Sequence, residues 1–170
     1  KYRIAEVTTN SQSVIDDDNI GAVMITTRHD SHATLVQSAL LKNKHVFVEK
    51  PLAITVAQLE TLIPVIRNTN GSLTLGYNRR FSPAAMAARK VLSQSNAPMH
   101  IVMNMNAGHI PSEHWTQNLE TGGGRIIGEA CHMIDLASYF TGSWPVEVFA
   151  LATGPVRKDT DNATILIRYE

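Results

Sequence analysis

The run Lys44-His45-Val46-Phe47-Val48-Glu49-Lys50-Pro51 places an amine and a carboxylate together at the end of a short apolar stretch. Val46 to Val48 predicts a strand, and Pro51 forbids its continuation into a central ladder. Ligands of open α/β sheets bind outside the carboxyl ends of the strands. Lys50 therefore stands where a small molecule is expected, and an amine there can take or return a proton. The same residue also reads as a surface lysine in a tight turn. Glu49 either orients a ligand or binds N–H groups of the turn. A second polar cluster, Thr27-Arg28-His29-Asp30-Ser31-His32, follows another apolar run, Ala22 to Ile25. Further on, His132 shares a helix face with Asp135. An imidazole, with an ordinary pKa of about 6.5, exchanges protons near neutral pH. It reads equally as a hydrogen-bonded helix histidine. His29 and His32 could supply two metal ligands on one turn, but no third donor lies near them, and no metal is expected.

Asn78, Arg79 and Arg80 follow a third apolar run, Leu73 to Tyr77. Arginine there suits bidentate contact with phosphate or carboxylate, or an ion pair between two halves of the chain. An irregular stretch, Ala107 to Gly124, holds His109, Glu113, His114, Trp115 and Gln117. Long loops in compact domains are often functional, and an aromatic ring beside polar groups suits a sugar face. Gly122-Gly123-Gly124 serves either close passage to a substrate or flexibility.

The elements that must position these groups follow from periodicity and turn chemistry. Short helices are expected at Val14–Asn19, at His32–Lys42 behind an N-cap at Ser31, and at Thr55–Ile66. The apolar positions are Ala33, Val36, Ala39 and Leu40 in the second, and Val56, Leu59, Leu62 and Ile63 in the third. Strands are expected at Ile20–Thr27, Val46–Val48 and Ser72–Tyr77. This β-α-β-α-β rhythm implies parallel strands with helical crossovers. After Tyr77 the pattern changes to helices at Ala84–Ser93 and Ile126–Phe140, with strands at His100–Asn106, Val146–Thr153 and Ala163–Tyr169. The predicted fold is α/β: a partial Rossmann unit over residues 1–77, then an α+β domain with a mostly antiparallel sheet over residues 78–170.

The chain has 170 residues, 44% hydrophobic and 18% charged, which suits one domain or two small ones. Its 15 basic and 15 acidic residues cancel. No basic stripe suggests nucleic acid. No apolar run approaches the ~18 residues of a membrane span, and Lys1 to Glu6 contain no leader-like apolar region. The single cysteine, Cys131, fits a reducing, cytoplasmic setting. A dinucleotide fold ordinarily opens with Gly-x-Gly-x-x-Gly after its first strand. No such motif occurs in these residues, and the first residue is not methionine. The expectation is of a piece of a larger protein, cut on both sides.

Four segments together resemble the Gfo/Idh/MocA (glucose–fructose oxidoreductase, inositol dehydrogenase, rhizopine catabolism) family. They are Thr27–His32, Val46–Pro51, Gly76–Phe81 and Gly122–Asp135, in the family's order and spacing. The Asp30-Ser31-His32 and Gly128–His132 versions look most like a subgroup fused to a zinc-type alcohol dehydrogenase domain. The resemblance implies an NAD- or NADP-dependent oxidoreductase acting on a sugar, nucleotide sugar or polyol. It implies catalytic roles for Lys50 and His132, with Pro51 often following a cis peptide. It implies cofactor contacts from Thr27, Arg28, His29, His32, Glu49, Lys50, Pro51, Asn78 and Arg79. Substrate contacts fall to His109, His114, Trp115, Gln117, Arg125, Glu129 and His132. It also implies a homo-oligomer formed through the second sheet. Two departures stand out. Arg28 and His29 replace the usual proline and asparagine, and Gly128 replaces an aspartate common four residues before His132. On a regular helix, Glu129 points about 100° away from that position. Two rivals stand beside this reading: a non-catalytic binding or oligomerisation module, or an inactive fragment; and a metal-assisted hydrolase or isomerase using the histidines.

Overall fold

The protein is described by a computed structural model covering residues 4–154 and 160–170. Its first half is built on three parallel strands, β1 (Ala22–Ile25), β2 (His45–Val48) and β3 (Leu73–Leu75), in that spatial order. Helix α1 (Ser11–Asp16) precedes them, α2 (His29–Leu41) links β1 to β2, and α3 (Val56–Asn68) links β2 to β3. β2 is the central strand, so Val46 and Val48 are buried by neighbours on both sides. Ile25, Ala33, Val36, Ala39, Leu40, Val46, Val48 and Leu62 form the core.

Cap chemistry explains where several elements begin. Asn10 accepts from the backbone N–H groups of Gln12 and Ser13 and starts α1 earlier than its apolar pattern suggests. Thr55 and Gln58 form a capping box at the start of α3. All four expected apolar positions of α2 are buried, but α3 is rotated from its expected face. Leu62 is buried with Val65 and Ile66 against the core, while Val56, Leu59 and Ile63 stay exposed. α2 also begins at His29 rather than behind Ser31. The reason is tertiary: the Asp30 N–H donates to the Thr121 carbonyl at 3.1 Å, satisfying a first-turn donor without a side-chain cap.

The second half starts with a 3₁₀ turn, Asn78–Phe81, and α4 (Pro83–Leu92), with Ser82 as N-cap and proline in the first position. A π-helical turn, Ile126–Ala130, leads into α5 (Cys131–Thr141), which Gly142 ends in a left-handed conformation. β4 (Pro145–Ala152) and β5 (Ala163–Tyr169) pair antiparallel. The structure thus shows an α/β chain with a Rossmann-like parallel sheet followed by an antiparallel one. The strand expected at His100–Asn106 does not form. Its side chains still alternate in burial from Ile101 to Met103, but no described strand lies beside it to complete a ladder.

Candidate functional site

The ends of the three parallel strands are tied side by side. Glu49 N–H donates to the Ile25 carbonyl at 2.9 Å, and Gly76 N–H donates to the Val48 carbonyl at 2.8 Å. The segments that follow, from Thr26, from Glu49 and from Tyr77, therefore leave the sheet at one edge. Lys50 and Pro51 are joined by a cis peptide bond. A Cβ on Gly76 would meet the Glu49 carboxylate at 3.0 Å, so glycine leaves room for that side chain against the third strand end.

Lys50 reaches from this edge to the second half of the chain. Its Nζ donates to the Gly128 carbonyl at 2.6 Å and to Glu129 Oε1 at 3.1 Å. Both acceptors lie in the π-helical turn. One turn later His132 is buried, and its Nδ1 has no hydrogen-bond partner among the described residues. Burial, then the positive charges of Lys50 and Arg79, holds the His132 imidazole below its ordinary pKa. The Tyr77 ring meets it edge-on at 6.1 Å, and burial pushes the Tyr77 phenol up to about 12. The neighbouring Cys131 thiol is also raised by burial.

The loop after β1 is held by imidazoles. His32 is fully buried, with Nδ1 2.8 Å from the Pro51 carbonyl and Nε2 3.0 Å from the Thr27 carbonyl. Its ring thus sits between the two strand-end loops. His29 Nδ1 lies 2.8 Å from the Gly122 carbonyl, and its ring packs edge-on against Trp115 at 4.8 Å. Burial lowers the His29 pKa. Arg28 lies over the Trp115 ring, 5.7 Å from its centre. These nitrogens face backbone carbonyls, and the described residues contain no group of three or more His, Cys, Asp or Glu side chains able to hold a metal.

The expected site residues thus fall into two sets. Lys50, Glu129 and His132 are brought together, with His29 and Gly128 beside them. Thr27, Arg28, His32, Glu49, Pro51, Asn78 and Arg79 lie at or beside the same strand ends. Asn78 and Arg79 are exposed there, whereas Arg80 turns away into a bidentate pair with Asp135. The 109–117 segment is less convergent. His114 bonds Thr116 Oγ1 at 2.8 Å, Gln117 reaches the Ile110 carbonyl at 3.4 Å, and His109 is exposed. Of that group, Trp115 touches the loop after β1, at His29 and Arg28. Arg125 is turned to the Gly108 carbonyl (2.9 Å) and Asp161 (3.1 Å), with a buried Nε that has no partner among the described residues.

The triple glycine is structural in its immediate contacts. A Cβ on Gly122 would lie 2.5 Å from Thr116 Cα and 2.6 Å from the Trp115 carbonyl oxygen. Gly123 has φ +74°, and a Cβ there would meet Ile54 at 2.8 Å. Sequence reasoning did not single out Tyr77 or the Gly128 carbonyl. Tyr77 was findable, because it ends a strand beside Asn78; the carbonyl carries no sequence signal.

The fold and this junction describe a Rossmann-like unit whose carboxyl edge faces a helix of a second unit. The model of the oxidoreductase family with an NAD-binding Rossmann fold, GFO_IDH_MocA, matches residues 1–77, and the GFO/IDH/MocA C-terminal domain matches residues 96–170. The chain belongs to the Gfo/Idh/MocA family. It is 28% identical over 156 residues to inositol 2-dehydrogenase of Rhizobium meliloti, covering 88% of this chain and 47% of that protein. It is 25% identical over 176 residues to myo-inositol 2-dehydrogenase of Thermotoga maritima, covering 100% of this chain and 52% of the relative. Among solved structures, levoglucosan dehydrogenase in complex with NADH and levoglucosan superposes with a TM-score of 0.77 at 26% identity, over 95% of this chain and 48% of that one. The chain spans about half the length of the curated relatives it matches.

Proposed function

We propose that the whole protein is an NAD(P)-dependent oxidoreductase that moves a hydride between nicotinamide and a hydroxyl-bearing carbon of a sugar, nucleotide sugar or polyol. One observation carries the reading: Lys50, at the carboxyl edge of the parallel sheet, is held to the turn that leads into a buried His132, whose Nδ1 has no partner among the described residues. An orphaned buried nitrogen costs stability unless something outside the chain satisfies it, and a substrate hydroxyl does so. The residues present also fit a nicotinamide, because Thr27, Arg28, Glu49 and Pro51 share the edge where ligands of such sheets bind. Asn78 and Arg79 stand beside that edge, and buried His32 fixes it from beneath.

Nicotinamide, when bound, supplies the hydride acceptor or donor. In the oxidising direction His132 Nδ1 takes the hydroxyl proton, and Lys50 Nζ hydrogen-bonds the same oxygen. In the reverse direction the two groups polarise the carbonyl and return the proton. Glu129, Arg125 and Trp115 are the substrate-facing candidates closest to this arrangement; His109, His114 and Gln117 act further out. The relatives' names, inositol and levoglucosan dehydrogenases, support a polyhydroxylated substrate. Residues 1–77 supply the cofactor side and 78–170 the substrate side. Exposed apolar side chains on β4, including Val148, Phe149 and Leu151, support association of copies through that sheet. One free cysteine and the absence among described residues of a helix fit to cross a membrane support a cytoplasmic setting.

The test is a fluorescence titration with NADH and NADPH, comparing the parent with Lys50→Ala, followed by oxidation assays with inositols and anhydrosugars. Saturable binding weakened by the substitution supports the reading. A folded protein, complete with whatever precedes and follows these residues, that binds neither cofactor overturns it.

A further inference from the structure

The turn carrying Glu129 is the least regular part of the helix that holds His132. Over Ile126–Ala130 the backbone is π-helical, and regular α-helix resumes only at Cys131. A π turn spaces its hydrogen bonds one residue wider than an α turn, so it changes the direction in which each side chain leaves the axis. Two groups of this turn converge on one atom: the Gly128 carbonyl and Glu129 Oε1 both accept from Lys50 Nζ. The Lys50 side chain is only 16% exposed, so its ammonium has few partners besides these two.

His29 accounts for the residue at position 128. A Cβ on Gly128 would lie 3.3 Å from His29 Cε1. That ring is buried, bonded to the Gly122 carbonyl and wedged against Trp115, so it has little freedom to yield. A side chain at 128 would therefore crowd His29 and press on the turn.

We propose that Glu129 is the residue that positions Lys50, and that His29 seated against Gly128 is what keeps the π turn where Glu129 can do so. His29 and Glu129 then act as a linked pair across the two halves of the chain, although neither needs to touch the reacting carbon. The inference rests on the reading of Lys50 as the amine that hydrogen-bonds the substrate oxygen. Its test needs no cofactor, so its failure is distinguishable from a failure to bind NADH or NADPH.

The experiment is amine-specific labelling of Lys50 across pH, read by peptide mass spectrometry on the whole protein. The variants are Glu129→Gln, Glu129→Asp, Gly128→Ala, and Gly128→Ala with His29→Ala. Charged and titratable groups that reach Lys50 are Glu129, His29, His132 and Cys131, and Glu129 also acts on the other three. Loss of a charge-assisted hydrogen bond is expected to speed labelling on the order of tenfold in Glu129→Gln. Glu129→Asp, which keeps the charge on a shorter arm, should fall between, and it decides the matter if Glu129→Gln does not fold. Gly128→Ala should also speed labelling, and adding His29→Ala should restore protection. Unchanged Lys50 labelling in both Glu129 variants overturns the positioning role. Equal labelling of Gly128→Ala with and without His29 overturns the linkage to His29.

Discussion

His29 Nδ1 lies 2.8 Å from the carbonyl oxygen of Gly122, joining residues 93 positions apart in the chain. The bond seats the first residue of α2 on the triple glycine and packs the loop after β1 against the helix-bearing half. Gly122 is at the tightest point. In Gly122→Ala the new methyl would be forced onto Thr116 and Trp115 backbone, and overpacking of this kind costs about 1–3 kcal/mol. A lowered urea midpoint with an unchanged slope is the expected outcome.

Stability should also depend on pH through the same junction. Burial holds the His29 and His132 pKa values below the ordinary imidazole value in the folded chain. The unfolded chain takes up these protons near pH ~6.5, while the folded chain resists them. Stability present above that pH is therefore lost as pH falls through the lowered folded values. Urea midpoints should drop between pH 7.5 and pH 5, and the drop should be smaller in His132→Gln.

Substitution of Lys50 by alanine or of His132 by asparagine should lower kcat by roughly 10²–10⁴-fold, the range for positioned acid–base groups. Circular dichroism should show the fold retained in each. Steady-state kinetics with an accepted polyol, run over pH, checks this. A variant with full turnover would remove that residue from the proton-handling pair.

Arg80 and Asp135 form a bidentate pair linking the 3₁₀ turn after β3 to α5, with Arg80 also 5.3 Å from the Tyr139 ring centre. The Asp135 side chain is 8% exposed and that of Arg80 33%. Asp135 therefore loses its partner in a largely dry setting in Arg80→Ala, while the open side of Arg80 limits the effect. Destabilisation of about 1.5–3 kcal/mol is expected, as for hydrogen bonds to charged groups. Thermal unfolding checks it, and Asp135→Asn should cost less than Asp135→Ala.

Much of the first half was legible in the sequence. The apolar positions of α2, the helix opening at Thr55 and the strand interrupted by Pro51 are local patterns, set by helical spacing, cap chemistry and the missing N–H of proline. The face of α3 was not legible. Its apolar residues run around more than one side, and only packing on α2 selects Leu62, Val65 and Ile66. The strand reading of residues 100–106 failed for a related reason: alternation shows that a segment could pair, whereas a strand exists only when a partner edge is present.

The chemistry divides along the same line. Residue types and their order alone determined that Lys50 ends a buried strand, that His132 lies on a helix, and that the chain resembles its family. What only the tertiary structure decided is which groups meet. Lys50 finds Glu129 and Gly128 rather than solvent, His114 and Gln117 satisfy themselves within their own loop, and Arg80 is taken by Asp135. Such meetings join residues far apart in the chain and depend on how a π turn, a buried imidazole and three glycines pack against one another. Short-range spacing carries the preferences of each element; the angle at which elements meet is set only when their surfaces exclude water together.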